Sequence, residues 1–155
     1  MQYPSKSGRF LVGLALACML AACQTLGGTG LVDSTVTAEL TPEAAGMIAG
    51  DMVGRLAEQV GPGATTIALM PDGSLFGQSL EASLKGWGYA IVTDQAAKGT
   101  ETVPLAYVVD EFEGNVLVRL STKSVDLTRM YKLGAEGAVP TSPVSVMQHG
   151  AEETS

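Results

Sequence analysis

The middle of this chain predicts a small α+β domain, with two helices packed in two layers on a mixed sheet of about four to five strands. Three observations predict it. Two stretches repeat apolar residues at helical spacing. Short runs rich in Val, Ile, Thr and Tyr lie between and after them. Turn-forming strings, Gly61-Pro-Gly63, Pro71-Asp-Gly73 and Glu113-Gly-Asn115, punctuate the runs.

Residues 1–22 read as a secretory leader. Lys6 and Arg9 precede an apolar run from Phe10 to Leu20, and no Asp or Glu interrupts it. As a helix this 11-residue run is roughly 16 Å long, about half of the ~30 Å hydrocarbon core, which disfavours a transmembrane span. Leu20-Ala21-Ala22-Cys23 follows and resembles the lipobox of bacterial lipoproteins. Small residues before the cut give a peptidase access to the backbone. The Cys23 thiol is the group that takes a thioether-linked diacylglycerol. Cys18 lies inside the apolar run instead. An ordinary leader would leave Cys23 as a free exported thiol, open to oxidation, so lipidation at Cys23 is the expectation. Two or three acyl chains exceed what stable anchoring needs. Gln24 stands where Asp signals retention in the inner membrane, so the expected location is the outer membrane, with the domain facing the periplasm.

Residues 23–40 read as a lipidated flexible tether, with Leu26-Gly-Gly-Thr-Gly30 at its centre and an r.m.s. reach of roughly 25 Å. The globular domain is expected over 41–133. Thr41-Pro42-Glu43 opens a helix: a threonine cap, proline at the first turn and an acid at the positive helix end. Ile48, Met52, Leu56 and Val60 recur at helical spacing beside Ala45, Ala49 and Val53, until Gly61-Pro62-Gly63 stops them. Gly46, Gly50 and Gly54 form a small-residue stripe. It is read as tight packing on the domain's own sheet; the other reading is close packing on a partner.

Thr65–Met70 is a short buried-type strand. A second helix carries Phe76, Leu80, Leu84 and Trp87 on one face, with Trp87 expected in the core. Tyr89–Thr93 is the next strand, and the strand-helix-strand unit predicts parallel pairing. After a polar loop over 94–102, Val103, Leu105, Tyr107 and Val109 alternate as a half-buried strand. A hairpin turn at Glu113-Gly114-Asn115 leads to strands over 116–121 and 125–133. Val125, Leu127, Arg129, Tyr131 and Leu133 share one face of the last strand. Residues 134–155 are rich in Gly, Pro, Ser and Thr and read as a mobile tail, with a possible short strand at Val144–Met147.

Charge excludes several functions. The precursor carries a formal −7, and loss of Lys6 and Arg9 with the leader leaves seven cations against sixteen acids, or −9. The cations are scattered, so direct nucleic-acid binding is not expected. One cysteine remains, which leaves no internal disulfide. The only histidine, His149, lies in the predicted tail and reads as solvated. No nucleophile elbow, phosphate loop or metal-ligand spacing is present, so no catalytic, cofactor or metal site and no small-molecule substrate is expected. Asp110, Glu111 and Glu113 could hold calcium or act as an acid/base pair, but their place at a hairpin end reads as solvated turn charge.

Several strings resemble the TrbH family of conjugal transfer lipoproteins: Leu31–Thr35, Leu40–Ala45, Asp51–Gly63, Leu84–Tyr89, Pro104–Asp110 and Ser142–Met147. The resemblance spans nearly all of the mature chain. It implies a non-enzymatic structural part of a plasmid-transfer type IV secretion apparatus, whose partners are the ring-forming envelope proteins. Cys23 matches the family's lipidated cysteine. The alternative is a stand-alone periplasmic binding or adaptor lipoprotein, which would place a pocket near Trp87 or Tyr107.

Overall fold

Eight strands, and not four or five, join one mixed sheet among the described residues of the computed structural model, which are 33–70, 72–93 and 101–150. The leader, Cys23 and most of the tether lie outside them, as do residues 94–100 of the polar loop and the last five residues. The strands are β1 (Thr35–Val36), β2 (Thr66–Leu69), β3 (Ala90–Val92), β4 (Thr102–Phe112), β5 (Asn115–Ser121), β6 (Val125–Gly134), β7 (Gly137–Pro140) and β8 (Ser145–Gln148). The helices are α1 (Pro42–Gln59) and α2 (Leu75–Gly86). Neither is long and apolar enough to cross a membrane.

The order β3-β2-β4-β5-β6-β7 explains the mixed pairing. β2 pairs in parallel with β3 and β4, and α2 is the crossover that returns the chain from the end of β2 to the start of β3. From β4 onward the strands are antiparallel, joined by short turns. Glu113 and Gly114 carry φ of +50° and +75° in the two-residue turn between β4 and β5. That backbone matches the strands' twist and suits glycine at the second position.

Three of the strands fall where composition reads tether or tail. β4 has 11 residues and β2 covers only four of them, so β1 takes another part of the same edge at Val108 and Val109. β6 has ten residues, and its outer edge is shared by β8 at Val125–Thr128 and β7 at Tyr131–Gly134. The backbone amide of His149 then donates to Ser124 O at 2.8 Å.

The helix ends follow their sequence signals. Thr41 Oγ1 accepts from the Ala44 amide at 3.2 Å, with Pro42 and Glu43 in the first turn. Ser74 Oγ accepts from the Gly77 amide at 2.9 Å at the start of α2. The end of α2 is closed by bonds from Gly88 N to Lys85 O and Tyr89 N to Leu84 O, with Gly88 at φ +95°.

Ile48, Met52, Leu56, Phe76, Leu80 and Leu84 from the helices share one core with Ile67, Leu69, Leu105, Tyr107, Val109, Val118, Leu120, Leu127 and Tyr131 from the strands. Each such buried side chain contributes roughly 1.5–3 kcal/mol. Two packing expectations fail. Trp87 is half exposed, because it caps the end of α2 and lies outside the core face. The glycine stripe does not lie on the sheet: a Cβ on Gly46 or Gly50 would meet nothing within 4 Å, and one on Gly54 would meet the Trp87 ring at 3.3 Å.

Candidate functional site

Two polar networks tie the helices to the sheet. In the first, Asp51 of α1 faces β6. Its Oδ2 accepts from the Arg129 guanidinium at 2.7 Å and from the Tyr131 hydroxyl at 2.5 Å. Arg129 Nε also donates to Ser142 O at 2.9 Å, and the Met130 amide donates to Ser142 Oγ at 3.0 Å. One arginine thus fastens α1, β6 and the connection between β7 and β8. Arg129 stands in an otherwise apolar inward row, a signal that a partner charge must face it.

In the second network, Asp72 Oδ1 accepts from Ser74 N at 3.0 Å, Ser74 Oγ at 2.6 Å and the Tyr107 hydroxyl at 2.7 Å. Tyr107 stacks edge-to-face on Phe76, centroids 5.3 Å apart. Burial pushes the Asp72 carboxyl up, but the bonds from Ser74 and Tyr107 outweigh it and hold it below its ordinary value. The stability these bonds carry is present at neutral pH and lost as pH falls below the usual carboxylate range.

The phenols respond in the opposite direction. Burial first, and then donation to Asp51 or Asp72, push Tyr131 and Tyr107 well above the usual tyrosine range. Burial also raises Tyr89, whose hydroxyl donates to Val60 O. Each phenol holds its proton more tightly folded than unfolded. The resulting stability is whole below about pH 10, where unfolded tyrosine is still neutral, and is lost as pH rises above it. In the chain without residues 1–22, and so without Tyr3, urea midpoints should therefore fall steeply in alkaline solution, with tyrosinate absorbance appearing only as the chain unfolds. Tyrosinate forming in the folded protein ahead of unfolding would contradict this.

The carboxylates weighed as a cluster are separated. Strand alternation turns Asp110 and Glu111 to opposite faces, and Asp110 Oδ1 accepts from Thr37 Oγ1 at 2.7 Å. Glu113 occupies the turn. No group of three potential metal ligands exists among the described residues. Glu111 and Glu39 instead border an open cleft of about 490 Å³ floored by Ala38, Val116 and Leu133. Neither histidine nor cysteine lines it.

His149 is not merely solvated: its Nε2 lies 3.3 Å from Asp126 Oδ2. An imidazole oriented by a carboxylate is half of a hydrolytic triad, but among the described residues no hydroxyl bonds its other nitrogen. Tyr107 is buried and committed to Asp72, and Trp87 rests on Gly54, so these aromatics do not frame a ligand pocket. Cys23, the one site residue expected from sequence, lies outside the described residues.

Joints between helix and sheet are thus the best-built polar features, and comparison with known proteins says what kind of domain they hold together. The model of the family described as conjugal transfer protein TrbH matches residues 26–150. The chain belongs to the TrbH family. It is 47% identical over 145 residues to a "Probable conjugal transfer protein TrbH" of Sinorhizobium fredii (strain NBRC 101917 / NGR234), covering 90% of this chain and 97% of that protein. No solved structure matches. In this TrbH-family chain the family-like strings fall on the joints just described. The Asp51–Gly63 string begins with the carboxylate that holds Arg129. Pro104–Asp110 contains Tyr107, and Ser142–Met147 begins with the carbonyl that Arg129 reaches.

Proposed function

We propose that this chain is a lipid-anchored, non-enzymatic structural component of a conjugative plasmid-transfer, type IV secretion apparatus. Cys23 carries the acyl chains, and the outer membrane holds the domain on its periplasmic side. There it stabilises the envelope channel by contact with ring-forming envelope proteins. The observation that carries the reading is the family match over residues 26–150, which begins three residues after the Leu20-Ala21-Ala22-Cys23 motif.

Charge supports a place in the channel wall and not on the transferred strand. The formal −9 left after loss of the leader repels a polyanion, and a DNA contact needs clustered cations. The described fold supports a binding role. Its polar networks are spent on joining helices to strands, and its buried Tyr107 and Tyr131 are committed to carboxylates of the same chain.

The test is removal of the anchor. The Cys23→Ser protein should leave the outer-membrane fraction and accumulate in the soluble periplasm, with plasmid transfer reduced. Unchanged fractionation would overturn the lipidation at Cys23.

A further inference from the structure

We propose that the sheet face opposite the helices is a docking surface for a protein partner whose own surface combines apolar side chains with carboxylates. The proposal rests on the assembly reading above for its setting and on the geometry alone for its location.

Register defines the face. In β4, β5 and β6 the inward residues are Tyr107, Leu120 and Leu127 in one row and Val109, Val118 and Arg129 in the next. The residues between them point the other way. There Phe112 of β4, Leu117 of β5, Met130 of β6 and Val139 of β7 lie in neighbouring rows across the sheet. Phe112 is 54% exposed and Val139 64% exposed. A solvated sheet face ordinarily alternates to polar residues. Here it carries a phenylalanine, a leucine, a methionine and a valine, a composition closer to the centre of an interface.

Charge on the same face names the partner's chemistry. Of the cations among the described residues, Arg55, Lys85 and Arg129 are paired with carboxylates. Arg119, Lys123 and Lys132 are exposed and have no ion pair or side-chain hydrogen bond among the described residues. Two of the three project from this face, Arg119 opposite Val108 and Thr128 and Lys132 opposite Val139, while Lys123 lies in the turn between β5 and β6. The face's acids are already engaged, Asp110 by Thr37 and Asp126 by His149. A strongly acidic protein therefore presents two of the three unpaired cations among its described residues beside its exposed apolar side chains. That combination selects carboxylates set among apolar groups. An anionic bilayer would answer the two cations as well, but its continuous negative charge would also meet the domain's formal −9, whereas a partner's few carboxylates need face only the two cations.

The test is a photo-cross-linking amino acid placed in the full chain at Val139, and separately at exposed Glu43 on α1 as a control, in cells transferring plasmid. Position 139 should give an adduct with an identified envelope protein through a peptide containing Asp or Glu, and position 43 should not. Arg119→Glu with Lys132→Glu should weaken that adduct by about tenfold or more, with an unchanged melting temperature, since both side chains are exposed. Restoration of the adduct by a Glu→Lys change in the partner peptide would support the pairing directly. No adduct at 139, equal adducts from both positions, an adduct of two copies of this chain, or an adduct with phospholipid alone would each overturn the proposal. Failure of the underlying reading looks different: a strain lacking the chain would transfer plasmid normally, while the adduct at position 139 would still form.

Discussion

Replacing Asp51 with alanine should lower the domain's stability by about 2–3 kcal/mol. The carboxylate is the acceptor on which Arg129 and Tyr131 converge, at 2.7 and 2.5 Å. The Arg129 side chain is only 15% exposed, so loss of Asp51 leaves a guanidinium with little water to replace its partner. Breaking a fully buried pair costs roughly 3–5 kcal/mol, and the 29% exposure of Asp51 brings the figure down. Arg55, at 4.0 Å from the other carboxylate oxygen and 41% exposed, adds little. Tyr131→Phe removes one bond and should cost about 1 kcal/mol. Because Arg129 also holds Ser142 O, amide exchange at residues 141–148 should quicken in Asp51→Ala before it does in the core strands. Urea unfolding of the pair of variants measures this. Equal losses for Asp51→Ala and Tyr131→Phe would show that Arg129 does not depend on Asp51.

The second large effect is expected at Gly77. In a helix interior, Gly→Ala ordinarily stabilises by up to about 1 kcal/mol. Here the sign reverses. A Cβ at Gly77 would lie 2.5 Å from Tyr107 Oη, 2.7 Å from Asp72 Oδ1 and 3.3 Å from Ser74 Oγ. Tyr107 cannot retreat, because it is 1% exposed and packed on Phe76. The added methyl would break the Tyr107–Asp72 bond and disturb the Ser74 cap, for a loss of about 2–4 kcal/mol. Gly50→Ala is the internal control. Its Cβ would meet nothing within 4 Å, so it should stabilise by about 0.5–1 kcal/mol. Pairing Gly77→Ala with Tyr107→Phe removes the nearest oxygen and should recover part of the loss. Thermal unfolding that ranks Gly77→Ala with Gly50→Ala would contradict the close approach.

Local patterns carried most of the fold. The stripe Ile48–Met52–Leu56, the cap at Thr41 and the Glu113-Gly114 turn are signals within a few residues, and the structure places helix and hairpin there. Of the short edge strands β8 was legible, in the Val144–Met147 string, and β1 and β7 were not. β1 has two residues and β7 has four, too few to show a period. Their order comes from unpaired edges left on the long strands β4 and β6, and that is a tertiary cause. The polar joints were hidden for the same reason, since Asp51 and Tyr131 are 80 positions apart. Trp87 misled because helical spacing continues through a capping residue that has already left the buried face. The lipobox needs only four adjacent residues and a leader before it, so it is readable without any fold.

The central claim is a structural role in plasmid transfer for a protein held by Cys23. Mating frequency from a strain lacking this chain, with and without the wild-type chain restored, tests it most directly. Transfer should collapse in the deletion, return with the wild type, and return only in part with Cys23→Ser. Transfer at the wild-type frequency in the strain that lacks the chain would contradict the claim.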